Sequence, residues 1–259
     1  MLSGDPYAAP PPGFRGRIQG MFITTVDDTW SDINHYYSPA SLTEFFLGVG
    51  GAAIMANTKI DNHVAAWYDT RIHTPQDSSK LNGVAHFWKQ FGNGAITIPT
   101  FLAMDLVGRY YGDVPAMGAL GDYGDRVTRA YLVGAPSMLL MQWTLGGARP
   151  SDGTNSHWNP FENDHGVSGH AFMGSIPFIT AANMVDNPFA KGALFVCSTF
   201  TGWARIDENA HYLSQVWLGW WMGYLACQAV NETQHEDRHL KIVPLVSPDM
   251  TGVGVRYQY

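Results

Sequence analysis

A chain of 259 residues that is 46% hydrophobic, 13% aromatic and only 14% charged has material for one large buried core and is far from a disordered composition. Fifteen Lys+Arg against 22 Asp+Glu leave a formal net charge of -7, so no basic surface is available to neutralise a run of phosphates, and no nucleic-acid partner is expected. Three stretches, 130–148, 165–185 and 209–231, lack Asp, Glu, Lys and Arg and approach the roughly 20 residues that a membrane-spanning helix needs. Each also carries Asn, Gln, His, Ser or repeated Gly, and the mean hydropathy is -0.11. They are read as core helices of a soluble protein, with a membrane-embedded bundle as the lesser reading. Cys197 and Cys227 lie in apolar segments, where two buried free thiols and one bridge both stay open.

Residues 1–17 have no basic start leading into an apolar run, so no secretory signal is expected there. Residues 1–20 are proline-rich and aperiodic and are expected to form an extended arm, with residues 21–259 as a single helical domain. Residues 21–30 read as a short strand or irregular segment. Ser41 with Glu44 three positions on is a capping pattern ahead of the apolar run 45–55, which marks the first good helix. Helical periodicity follows at 63–72, 78–91 and 95–111, the second closed by Gly92-Asn93-Gly94, and Asp105 with Arg109 forms a structural i,i+4 ion pair on the third. The glycine-rich segment 112–125 reads as a loop or short turn. Residues 126–145 read as a long helix that Pro136 should kink or delay and that Gly146-Gly147 stops. Residues 151–166 show no regular pattern, and irregular loops of that length are usually functional or mobile. Helices are expected again at 169–185, capped by Ser168, and at 189–203 and 210–230. The cluster His235 to His239 reads as a solvated helix end. Val253, Val255, Tyr257 and Tyr259 alternate with Gly254, Arg256 and Gln258 in the pattern of one short strand. The fold class is therefore all-α, a helical bundle with at most a short C-terminal strand.

Chemistry concentrates in three pieces: Gln142 to Arg149-Pro150; Val167-Ser168-Gly169-His170; and Ala204-Arg205 through His211 to Gln215. The second sits where a loop becomes a helix, and a helix start offers unpaired N–H groups and a positive dipole end to an anion. Gly169 lets the backbone approach. Arg149 follows a helix exit and Arg205 precedes a helix; each guanidinium can hold two oxygens of a tetrahedral anion in a planar fork. His211 and Gln215, four apart, share a helical face, so the amide can hydrogen-bond the ring. One held histidine then serves as nucleophile and the other, His170, as acid. Singly, Arg149 is a helix-end cation, Ser168 an N-cap and His211 a satisfied core histidine. Their joint order and spacing favour a site. His157, Asp164, His165 and His170 match no tight metal-ligand spacing, and no metal is assigned.

These pieces resemble the type 2 phosphatidic acid phosphatase superfamily, which also takes in bacterial acid phosphatases and vanadium-dependent haloperoxidases. The family pattern is Lys, six residues, Arg-Pro; then Pro-Ser-Gly-His; then Ser-Arg, five residues, His, three residues, Asp. Arg149-Pro150, Ser168-Gly169-His170, Arg205 and His211 match, over about residues 92–230. Four positions depart: Gln142 stands for the lysine, Val167 for the proline, Ala204 for the serine and Gln215 for the aspartate. The resemblance implies a helical fold and a metal-independent phosphatase, periplasmic or secreted, acting on a small-molecule or lipid phosphate ester. His211 would attack phosphorus and carry the phosphoryl group, His170 would protonate the leaving oxygen, and Gln215 would orient His211. Arg149, Arg205, Gln142, Ser168 and Gly169 would hold the phosphoryl oxygens, with no cofactor. Gln142 removes a cation, and Gln215 can accept the ring N–H but supplies no charge. Replacing the orienting carboxylate by its amide in a serine protease lowers turnover by about 10⁴, so weakened catalysis, or a binding protein that kept the fold, is one alternative. A haloperoxidase holding vanadate in the same cradle is another, disfavoured because a highly charged vanadate needs more cations. A serine hydrolase built on Gly166 to His170 ranks low because no strand precedes the turn.

Overall fold

A computed structural model describes residues 14–72, 78–153, 155–236, 240–247 and 250–257. Its helices are α1 (Phe14–Tyr36), α2 (Pro39–Asn57), α3 (Ile60–Arg71), α4 (Ser78–Lys89), α5 (Gly94–Tyr110), α6 (Pro115–Leu145), α7 (Gly169–Met184), α8 (Pro188–Cys197), α9 (Phe200–Asp207) and α10 (Leu213–Glu236), with short 3-10 turns at Gln90–Gly92 and Pro150–Asp152. The fold is an all-α bundle to which two antiparallel strands, β1 (Leu240–Ser247) and β2 (Met250–Tyr257), are appended in a register running from Leu240↔Tyr257 to Ser247↔Met250. The alternation at 250–257 is thus a strand as expected, and it has a partner that the sequence reading missed.

The centre of the bundle is α10, against which α1, α2, α6 and α7 all pack. Leu218, Met222, Leu225 and Ala226 of α10 are buried with Phe172, Ile176 and Ile179 of α7 and Val127, Ala130 and Val133 of α6. The crossing of α7 and α10 is close because α10 offers glycine there. A Cβ at Gly219 would lie 2.4 Å from the Ser168 carbonyl oxygen, and one at Gly223 would lie 2.3 Å from Ser175 Oγ. Of the three uncharged stretches, two therefore supply core helices. The third, in α6, also exposes Leu132, Leu139, Leu140 and Trp143. Among the described residues one helix, α2, is long and apolar enough to cross a membrane. Both cysteines are free thiols.

Several local readings need correction. Residues 14–20 are the first turns of α1, and 21–30 are its middle rather than a strand; residues 1–13 lie outside the described chain. Thr24, Thr25 and Val26 have modest helix propensity, but tertiary contacts outweigh it. Asp32 of α1 receives Arg129 Nε at 2.7 Å and Nη2 at 2.6 Å, both residues being fully buried. Arg129 also reaches Asp125, which in turn accepts from Arg109, itself paired with Asp105. The expected Asp105–Arg109 pair is therefore one edge of an ionic cluster that ties α1, α5 and α6 together.

The glycine-rich 112–125 is mostly helix, since α6 starts at Pro115 and runs unbroken through Pro136 to Leu145. Its glycines serve packing: a Cβ at Gly108 of α5 would lie 2.2 Å from Gly121 Cα, and one at Gly124 would lie 2.5 Å from the Asp105 nitrogen. The first cap is Ser38, not Ser41; Ser41 N–H donates to Ser38 Oγ at 3.3 Å, with Pro39 opening the helix. The stretch 189–203 divides into α8 and α9. His235 and Glu236 end α10, whereas residues 237–239 lie outside the described chain.

Candidate active site

Backbone hydrogen bonds lace the three pieces together. Ser168 N–H donates to the Gln215 carbonyl at 2.9 Å, and Ser151 N–H donates to the Asn209 carbonyl at 3.1 Å. Gly166 N–H and His165 N–H donate to Gln142 and Gly147 carbonyls at 3.1 and 3.2 Å. The third piece is bent into place at Asn209, whose φ of 51° is left-handed; the turn returns Ala210 and His211 N–H to the Arg205 carbonyl at 3.0 and 3.2 Å. Asn tolerates that conformation better than most residues. The loop 151–166 is accordingly pinned. Phe161 N–H bonds the Trp143 carbonyl, Asn159 N–H bonds that of Gly146, and Ser156 Oγ donates to the Ala56 carbonyl at 2.8 Å.

The expected bond between His211 and Gln215 forms, but not along one helical face, because α10 begins at Leu213 and His211 precedes it. His211 Nδ1 lies 2.8 Å from Gln215 Oε1, and both side chains are buried. Gln215 Nε2 donates to the Ala148 carbonyl at 2.7 Å, while Oε1 also accepts Tyr212 N–H at 3.1 Å. Because a carbonyl can only accept, the amide nitrogen must face Ala148 and the amide oxygen must face His211. The ring proton therefore sits on Nδ1 and the Nε2 lone pair is left free. Burial first, then the charges of Arg205 and Arg149 and the nearness of the His165 ring, push the His211 pKa down to about 3, although the Gln215 bond opposes the shift. That shift favours the neutral imidazole.

Around this nitrogen the cation set differs from the family pattern. Arg149 and Arg205 each have a buried Nε–H without a hydrogen-bond partner in the protein, an unmet donor of the kind that costs free energy unless a ligand fills it. Gln142 donates its amide to the Val167 carbonyl at 3.0 Å, and its nitrogen is 3.3 Å from where a Gly169 Cβ would be. It braces the turn that it also borders. Ser168 is fully buried and caps α7 by accepting Ala171 N–H at 3.3 Å. The N–H groups of Gly169 and His170, in the first turn, have no intrahelical acceptor. Burial, Arg205, Lys89 and Arg149 together push the His170 pKa down to about 4, against the opposite pull of Glu208.

The segment 129–238 matches the family model of the PAP2 superfamily. The chain carries a PAP2 superfamily domain. That match starts inside α6, later than the resemblance drawn from residue 92, and it contains every residue of the three pieces. No curated protein and no solved structure gave a match. The superfamily consists mostly of phosphatases, so phosphatase-type activity is implied at the level of the family.

The fold also brings up residues that sequence reasoning left without a role. Glu208 accepts from Arg205 Nη1 and, at 3.1 Å, from Lys89 Nζ. Glu208 lies inside the third piece, but Lys89 ends α4 far upstream of the matched segment, and nothing in the sequence signals it. His165 presents its ring edge-on, 6.1 Å between centroids, to His211 and pairs with Asp164 at 3.1 Å. His157 turns away to the Ala56 carbonyl at 3.1 Å. Asp61 of α3 accepts Ser214 N–H at 2.9 Å and Ser214 Oγ, fixing the start of α10 beside His211. Burial raises the Asp61 pKa even so. An apolar groove of about 340 Å³, walled by Trp203, Ile206, Leu213, Trp217 and Trp220, shares α9 and α10 with the site but includes none of the proposed catalytic or phosphate-binding residues.

Proposed function

We propose that this protein hydrolyses phosphate monoesters, lipid phosphates among them, through a phosphohistidine at His211. The observation that carries the reading is the two-ended hydrogen bonding of Gln215, which holds the His211 proton on Nδ1 and leaves Nε2 as an uncharged nucleophile. Nε2 attacks phosphorus and the ester P–O bond breaks. The leaving oxygen takes a proton from His170. Water then attacks the phosphohistidine, giving its proton to His170 and releasing inorganic phosphate and free His211. Arg149 and Arg205 hold phosphoryl oxygens with the donors they leave unpaired, and the Gly169 and His170 N–H groups, Ser168 and Gln142 complete the cradle. Since the nucleophile is a side chain, the reaction calls for no metal-bound water.

Gln215 orients the ring as an aspartate would, but stabilises the cationic phosphohistidine only as a dipole. Turnover is therefore expected to be slower than with a carboxylate. The test is hydrolysis of an aryl phosphate from about pH 4 to about pH 8 without added metal. Activity in the parent that His211→Ala abolishes supports the reading. A folded parent without activity overturns it in favour of a binding role or vanadate chemistry.

A further inference from the structure

We infer that Lys89, on α4, is a positioning residue of this site: through Glu208 it holds the Arg205 guanidinium in its anion-binding orientation and keeps Glu208 from cancelling a positive charge of the cradle. The inference rests on the phosphate-binding part of the proposed function. Glu208 is the middle member of a relay, with Arg205 Nη1 on one carboxylate oxygen and Lys89 Nζ on the other at 3.1 Å. Arg205 is buried, whereas Lys89 and Glu208 are about one-third and one-quarter exposed, so the relay runs from the cradle outward. Holding Nη1 leaves the buried Nε–H as a donor with no partner in the protein.

Charge explains why the lysine is needed. Arg149 and Arg205 together match a phosphate dianion, but Glu208 alone would cancel half of that charge. Lys89 cancels Glu208 instead. The family pattern carries its extra cation at the position of Gln142, where this chain has a neutral amide spent on the Val167 carbonyl. Lys89 does not replace that cation; it keeps Glu208 from cancelling one of the two that remain. It can do so because the turn after α4 packs directly on the first turn of α7: a Cβ at Gly92 would lie 2.6 Å from the His170 carbonyl oxygen.

The experiment is calorimetric binding of inorganic phosphate to the full chain and its variants, with melting temperatures measured alongside. Lys89→Met is expected to weaken phosphate binding roughly tenfold without loss of melting temperature, and Lys89→Arg to restore most of it. In a Glu208→Gln background the further loss from Lys89→Met should shrink to about twofold, because the relay is already broken. Unchanged binding in Lys89→Met overturns the inference while leaving the phosphatase reading intact. An equal loss in both backgrounds overturns the route through Glu208. A folded parent that binds no phosphate overturns the reading on which both depend.

Discussion

Replacing Gln215 by glutamate keeps the shape of the side chain and changes only what it can donate. The amide nitrogen that now bonds the Ala148 carbonyl at 2.7 Å becomes an oxygen, so an ionised carboxylate would set two acceptors against each other in a site only 1% exposed. A protonated carboxyl avoids this. Its O–H donates to Ala148 and its carbonyl oxygen accepts from His211 and Tyr212, reproducing the bonds of the amide. Burial and the Ala148 carbonyl both favour that neutral form, so the new carboxyl should titrate well above the ordinary glutamate value of about 4.3. A group whose pKa is raised by folding contributes stability that is present below its unfolded pKa and is lost as pH rises through the folded one. Parent and Gln215→Glu should therefore melt together at about pH 4 and diverge at about pH 8, where the lost bond and the buried charge cost roughly 1–3 kcal/mol. In a chain of this size that is about 2–12 °C. Thermal melting at the two pH values is the assay. Equal destabilisation at both pH values, or none at the higher, would refute the assignment of the Gln215 amide nitrogen to Ala148 and with it the proton on His211 Nδ1.

Three other outcomes follow from the same geometry. Burial together with Arg205 and Lys89 lowers the His170 pKa to about 4, so kcat/KM for an aryl phosphate should fall as pH rises above that value, as the acid loses its proton; Lys89→Met should move the falling limb upward, and a plateau through neutral pH would exclude His170 as the acid. Asp32→Ala strips the buried Arg129 of its closest carboxylate and should cost about 3–5 kcal/mol, read by urea denaturation; a loss below about 1 kcal/mol would show that Asp125 and solvent suffice. Gly219→Ala puts a methyl 2.4 Å from the Ser168 carbonyl, so it should destabilise the bundle by roughly 1–3 kcal/mol and reduce phosphate binding by shifting the Ser168 turn; lost stability with unchanged binding would show that α10 gives way instead of α7.

What the sequence made legible follows from how each feature is encoded. Spacing along a helix is local, so the Asp105–Arg109 pair was readable, as was the cap that Ser168 places on α7; the His211–Gln215 bond was also expected, though His211 precedes the helix. Glycine was misread in 112–125 because its sequence signature is the same whether it breaks a helix or lets two helices touch; only the presence of α5 against Gly121 decides which. Charges that meet across long sequence separations leave no local mark. Asp32 finds Arg129 and Lys89 finds Glu208 only once the bundle has formed.

The two glutamines give the clearest instance. From sequence they are neutral replacements that subtract a cation and an anion from the family pattern. In the fold each also makes a bond that the family residue could not reproduce unchanged. Gln215 gives Ala148 a donor that an ionised aspartate lacks, and Gln142 gives one to Val167 through a planar amide shorter than a lysine. Restoring Gln215→Asp alone would therefore remove a donor from a buried carbonyl. Both glutamines are tied to the surrounding backbone. Reversion of either glutamine by itself should thus lower stability before it raises turnover.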